Sequence, residues 1–365
     1  MKVLHVINSL NVGGAEKMLV DIMVYLKKYK DVQSHVLVLG PINKGFENRF
    51  FEESISFTVI DKSWLSLKKY IGVMKVLKEY DVIHSHLFPT NYVLSLFSLK
   101  YPKKVFITTE HSTHNRRRDY PILNLLERFV YGRYKLILAI SDKTKSKLVS
   151  WLGSDFCSKV VVVHNGVELS SYSNVSSNYN HDLDLSKKCT LLMIGSFREQ
   201  KNQDCIIRAL KFLPEHVRLR LAGCGDRKEI LVKLADDLGV LSRVDFLGLQ
   251  SDIPSIISSS DIVIQSSHWE GFGLAAVEGM AASKPVIASN VDGLREVVDG
   301  YGLLFEPDNS EQLAELVDKL IMNKEMYCQV SNNCFLRSKD FEIKRLVNLY
   351  VENYRVFMIE NNENN

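Results

Sequence analysis

Twice along this chain, short runs of nearly uninterrupted β-branched and aliphatic residues alternate with amphipathic stretches of helical length. In the first series, residues 3–7, 34–39, 57–60, 82–84, 105–109, 136–140 and 160–163 read as strands, separated by helical patterns at 15–28, 67–79, 122–131 and 143–151. Strands that are apolar on almost every residue have no face to offer water. Each sheet must therefore be covered on both sides, and helices between the strands make it parallel. Residues 169–188 break the rhythm: rich in Ser and Asn and without apolar periodicity, they read as a linker. The alternation restarts with strands at 190–194, 218–222, 244–247, 262–265 and 285–288, and helices at 204–212, 228–238, 274–282 and 312–322. The pattern predicts two doubly wound α/β domains, 1–168 and 189–341, with a last helix at 342–360 packing back on the first. A length of 365 residues suits two such cores. Ligands of open α/β sheets bind beyond the carboxyl ends of the strands, so the two domains are expected to face a shared cleft.

A formal net charge of +3 gives no ground for a nucleic-acid partner, and none is expected. The charge is unevenly spread. Residues 100–147 hold twelve Lys or Arg against four acidic residues, including Arg116-Arg117-Arg118. Such a surplus is either a solvated basic face or an attractor for anionic lipid headgroups or a phosphorylated acceptor. Six cysteines without a C-x-x-C pair fit buried, reduced thiols. No window approaches the ~18 apolar residues of a membrane span, and residues 92–99 suit a buried or interfacial helix. No basic-then-apolar leader precedes the first strand. The expected location is cytoplasmic, with peripheral contact on the inner face of the membrane.

Two segments carry chemistry. After the first strand, Gly13-Gly14 opens a helix; paired glycines let backbone N–H groups approach a ligand, and a helix N-terminus favours phosphate oxygens. A tight turn without a ligand would look the same. The segment lacks the G-x-G-x-x-G fingerprint and its acidic ribose partner, which weighs against a nicotinamide enzyme. More informative is Ser266-Ser267-His268-Trp269-Glu270-Gly271-Phe272-Gly273-Leu274, which leads from a strand into a helix bearing Glu278. Eight residues at ~1.5 Å each place the two carboxylates at most ~12 Å apart, about the distance from the sugar to the ribose in a nucleotide sugar. Gly271 and Gly273 expose backbone donors at the helix start.

Glu270 and Glu278 form the E-x7-E motif, and the chain resembles the retaining glycosyltransferases of family 4, which have the GT-B fold: two Rossmann-like doubly wound domains facing a cleft. Gly13-Gly14, His164-Asn165-Gly166, Lys201, Gly223 with Gly225, and Gly293-Leu294-Arg295-Glu296 all fall in family order. The resemblance implies that Glu270 binds the donor sugar and Glu278 the ribose, with the backbone of Gly271, Phe272, Gly273 and Leu274 at the sugar or diphosphate. The family's basic pair on the diphosphate maps onto Lys201 and an arginine whose usual position is Ser196 here; Arg198, two residues on, is the candidate substitute. His111 matches the position where family members place a residue beside donor sugar and acceptor. Taken alone, a strand-end histidine is more often a structural hydrogen bonder. His86 and Asn165 are further candidates for acceptor or sugar contact. His84-x-His86 hints at a metal, but no third ligand is evident and the fold family requires none, so no metal and no cofactor are expected.

The resulting expectation is transfer of a sugar from a UDP- or GDP-type donor to a saccharide or lipid-linked acceptor, in surface polysaccharide or glycolipid synthesis, with His111, Glu270 and Lys201 as the catalytic group. The rival readings are a nucleotide-sugar epimerase of the same fold and a non-catalytic nucleotide-sugar binder.

Overall fold

A computed structural model describes residues 1–11, 13–113, 115–172 and 184–363. The chain forms two compact units: Met1–Gly166 with Ile343–Asn365, and Val167–Glu342.

In the first unit, β1 (Lys2–Ile7), β2 (Gln33–Val38), β3 (Phe57–Val59), β4 (Val82–His86), β5 (Val105–Glu110), β6 (Leu136–Ala139) and β7 (Val160–Val162) form one sheet in the order β3-β2-β1-β4-β5-β6-β7. Every pairing is parallel. The second unit holds β8 (Cys189–Ile194), β9 (Val217–Ala222), β10 (Val244–Gly248), β11 (Ile262–Gln265), β12 (Val286–Ser289) and β13 (Leu303–Phe305), in the order β10-β9-β8-β11-β12-β13. These pairings too are parallel. In each sheet the order turns back beside the first strand, and the connections diverge there to opposite faces. The inner strands β1, β4, β5, β6, β8, β11 and β12 are buried on both sides, whereas β3, β7, β9, β10 and β13, at and near the sheet edges, are partly exposed.

Some elements escaped the sequence pattern. The strand β13 has only three residues. Helix Lys324–Ser338 hides its period because serines stand at buried positions. Ser331 is one, its hydroxyl donating to the Ser283 carbonyl at 2.5 Å. All six cysteines are free thiols.

The last helix, Ile343–Glu363, belongs to the first unit. Its own Tyr350 and Tyr354 are buried, and Arg355 donates to Asp31 at 2.8 Å. The unit boundaries fall after Gly166 and Glu342, close to the expected 168 and 341. Leu169–Tyr172 is a short 3₁₀ helix of the second unit with Tyr172 buried, so this end of the expected linker is structured; its centre, 173–183, lies outside the described residues. The points where the chain enters and leaves the second unit adjoin: the Val167 N–H donates to the Phe341 carbonyl at 2.7 Å, and Val167 bridges to Glu342.

Candidate active site

In the second unit β8 and β11 are neighbours at the turning point of strand order, so the loops that follow them meet. The β8 loop runs through Ser196 and Arg198 into a 3₁₀ turn, Glu199–Lys201. The β11 loop carries Ser267 to Gly273, and helix Leu274–Ala281 follows. Two hydrogen bonds lace them together: the His268 N–H donates to the Gln200 carbonyl at 2.8 Å, and the side-chain Gln200 Nε2 to the Trp269 carbonyl at 3.0 Å.

Across this junction Lys201 Nζ forms an ion pair with Glu270 Oε2. The side chains are 19% and 14% exposed, enough for a ligand to reach and little enough for their charges to act through a reduced dielectric. Ser267 Oγ donates to Glu270 Oε2 at 3.4 Å, and the Gly271 N–H to Oε1 at 3.3 Å. The loop is also held from below by Gly293, whose φ is +84°: a Cβ there would lie 2.5 Å from the Glu270 carbonyl oxygen. Gly273, at φ +97°, stands at the N-cap of the helix and places no side chain over the first-turn amides. Glu278 lies just over one turn into that helix and is 6% exposed.

The structure thus brings Lys201, Glu270 and the Gly271–Gly273 backbone to one place. Arg198 is exposed at the start of the 3₁₀ turn and takes no part in the ion pair. The Ser196 carbonyl accepts from Gln203 Nε2 at 3.0 Å. The Phe272 ring points into the core against Phe341, centroids 5.2 Å apart, which leaves only its backbone to the site. Sequence reasoning overlooked Ser267 and Gln200; the short polar run beside Glu270 was the available signal for Ser267.

In the first unit Gly13 and Gly14 follow β1 and open helix Gly14–Leu26, while Val12 lies outside the described residues. Gly13 is extended, and a Cβ there would meet the carboxylate end of Glu16. His86 ends β4, and His111 stands just past β5, their ring centroids 5.8 Å apart. Burial pushes the His111 imidazole down to about 4, so it is neutral at pH 7. Among the described residues its Nε2 is buried without a hydrogen-bond partner. Asn165 is buried beyond β7.

A histidine missed in the sequence, His5, faces His84 in register across β1 and β4, and its Nδ1 lies 3.0 Å from His86 Nε2. Burial drives His5 down to about 3 and His84 and His86 well below the usual imidazole range. Ligand nitrogens of these three lie within 4.8 Å of one another, supplying the third histidine that the sequence did not show. Both His84 nitrogens are nevertheless engaged, with the Tyr354 hydroxyl at 2.6 Å and Thr109 Oγ1 at 2.7 Å. The arrangement is a neutral hydrogen-bonded layer beneath the last helix.

The basic run also needs correction as a uniformly solvated face. Arg117 Nε pairs with Glu127 at 3.1 Å and Arg118 Nη2 with Glu110 at 3.0 Å, and Glu127 is fully buried. The surplus on the surface comes from other lysines and arginines of the segment.

Two family models match the chain: glycosyl transferases group 1 over residues 179–336 and glycosyltransferase family 4 over residues 12–171. An uncharacterized glycosyltransferase of Methanocaldococcus jannaschii is 30% identical over 347 residues, covering 88% of this chain and 89% of that relative. The chain belongs to glycosyltransferase family 4. This glycosyltransferase is also similar to the D-inositol 3-phosphate glycosyltransferase of Mycobacterium tuberculosis, 28% identical over 263 residues that cover 66% of this chain and 54% of the other. Among solved structures, Anabaena HepE in complex with UDP-glucose superposes with a TM-score of 0.86 at 23% identity, covering 98% of this chain and all of that one. The likeness shows the GT-B fold, with two Rossmann-like domains.

Proposed function

We propose that this family 4 glycosyltransferase takes its sugar from a nucleoside diphosphate sugar, uridine type first and guanosine type second, and transfers it with retention to a hydroxyl of a saccharide or lipid-linked acceptor in surface polysaccharide or glycolipid synthesis. The observation that carries the reading is the Lys201–Glu270 pair beside the open N-terminus of the helix bearing Glu278. The UDP-glucose complex of its structural neighbour supports a uridine donor.

In this reading Glu270 accepts hydrogen bonds from the donor sugar's hydroxyls and Glu278 from the ribose. When the anomeric C–O bond breaks, charge grows on the leaving diphosphate. Lys201, with Arg198 swinging in from its exposed position, and the Gly13–Gly14 and Gly271–Gly273 amides meet that charge. The ion pair holds both side chains in place before the donor arrives, so little reorganisation is left for the reaction itself. The acceptor oxygen attacks the face that the diphosphate vacates, and a diphosphate oxygen takes its proton. Neutral His111 offers a ring nitrogen to the sugar or acceptor, and His86 and Asn165 line the acceptor side. No metal or organic cofactor enters this scheme.

Glu270→Ala and Lys201→Ala are each expected to abolish transfer while the fold, checked by circular dichroism, is retained. Near-normal transfer by either variant would sink the assignment, and donor turned over without acceptor would favour the epimerase.

Peripheral membrane contact rests on a separate observation. On and beside helix Leu123–Gly132, Ile122 and Leu125 are 85% and 78% exposed, with Leu126 and Phe129 also at the surface. An apolar face of this kind, within the basic surplus of residues 100–147, suits an anionic interface, with the enzyme on the cytoplasmic side. Leu125→Ser with Phe129→Ser is expected to reduce flotation with phosphatidylglycerol vesicles; unchanged flotation argues against the contact.

A further inference from the structure

Three consecutive neighbours in the first sheet begin directly after a lysine. Lys104 precedes β5, Lys135 precedes β6 and Lys159 precedes β7, so the parallel pairing sets three ammonium groups side by side along one edge of the unit. Arg133, which follows helix Leu123–Gly132, joins them. The four cations line a cavity of about 230 Å³, several times the ~30 Å³ share of a water molecule, and no acidic residue lines it. It lies at the amino ends of the strands. His86 and His111 mark the opposite, carboxyl ends. The cavity is therefore separate from the candidate site residues of its own unit.

A row of surface lysines is ordinarily only solvated, and two details set this one apart. First, Lys104 and Lys159 are partly buried. Lys159 Nζ donates to the Gly132 carbonyl at 3.3 Å, and Lys104 Nζ donates to the Lys78 carbonyl at 3.0 Å and to the Tyr80 carbonyl, which fixes both ammonium groups and leaves two N–H donors on Lys159 and one on Lys104. Second, their charge is not neutralised. Among the described residues no carboxylate forms an ion pair with any of the four. The two that influence them are engaged elsewhere: Asp155 accepts from Arg128 at 2.8 Å, and Asp81 from the Lys2 N–H at 2.8 Å. Burial, and then the proximity of Lys135 and Arg133, hold the Lys159 ammonium below the usual lysine range. Like charges gathered around a recess without a counter-charge leave the free protein with a repulsion that an anion would relieve.

We propose that this cavity is a second binding site, specific for a phosphate group, in which Arg133 and Lys135 grip the oxygens from the rim and Lys104 and Lys159 from the walls. A phosphate ester can reach it as a lipid headgroup or as a soluble phosphorylated molecule, and the two sources are separable by experiment.

The test compares the full chain with an Arg133→Ser, Lys135→Ser double variant, both carrying Lys201→Ala so that the candidate donor site does not contribute. Both changed residues are exposed, which favours an intact fold, and Lys159→Met provides an independent second variant. Calorimetric titration with inorganic phosphate at fixed ionic strength is expected to show binding that each variant weakens at least tenfold. Absence of binding by the parent protein, or equal affinity in parent and variants, overturns the proposal. Flotation with phosphatidylcholine vesicles, with and without phosphatidic acid, then identifies the source. Loss of phosphatidic-acid-dependent flotation in the variants assigns the site to a headgroup; flotation unchanged beside lost phosphate affinity assigns it to a soluble ester.

Discussion

Gly293 makes the placement of Glu270 testable without touching any group that would contact substrate. In Gly293→Ala the new Cβ would begin 2.5 Å from the Glu270 carbonyl oxygen, where ordinary contact starts at 3.4 Å, so the loop must retreat by about 0.9 Å. A displacement near 1 Å at a positioning group lowers turnover by roughly 10²-fold, or ~2.7 kcal/mol in the barrier. An alanine at φ +84° adds ~1–3 kcal/mol of backbone strain to the folded state. Gly239→Ala supplies the control: its φ is +70°, but nothing lies within 4 Å of the added Cβ. The control should lose stability and keep its rate, whereas Gly293→Ala should lose both. The measurements are steady-state release of nucleoside diphosphate under saturating donor and acceptor, and urea denaturation of the same preparations. A Gly293→Ala enzyme as fast as the control would show that the Glu270 loop does not position the reacting sugar.

Acid should destabilise the first unit through its buried imidazoles. Their folded pKa values, about 4 for His111 and about 3 for His5, lie below the unfolded value, so the stabilisation is complete above pH ~6.5 and drains away as pH falls toward those values. Each histidine contributes a slope of about 1.4 kcal/mol per pH unit in that window; His5→Gln should remove one such increment from stability measured between pH 6.5 and 4.5, and an unchanged slope would contradict the assignment. Tyr354→Phe removes the hydroxyl 2.6 Å from His84 Nδ1 and should lower unfolding free energy by about 1–3 kcal/mol, whereas a change within 0.5 kcal/mol would mean that the bond is not formed in solution.

The inner strands could be read from the chain because burial on both faces leaves an unbroken apolar signature, and Glu270 could be read because glycines, a strand end and a helix start surround it. What escaped depended on pairing. Lys201 and Glu270 stand 69 residues apart, and only the placement of β11 against β8, with β9 and β10 on the far side, joins them. His5 was missed for the same reason: strand order reverses between β1 and β4, which brings it opposite His84. The arginine run looked uniformly basic because composition does not tell which guanidinium meets the buried Glu127.

Because the first unit is completed by Ile343–Glu363, it is discontinuous in sequence, and the second unit is in effect an insertion within it. During synthesis every residue of Val167–Glu342 emerges before the helix that covers His84 and Thr109 exists. The inserted unit can thus begin folding first, while the polar layer of the first stays open to water until that helix has been made and docked. Assembly is then expected to run in reverse of chain order, with the earliest-made sheet sealed last.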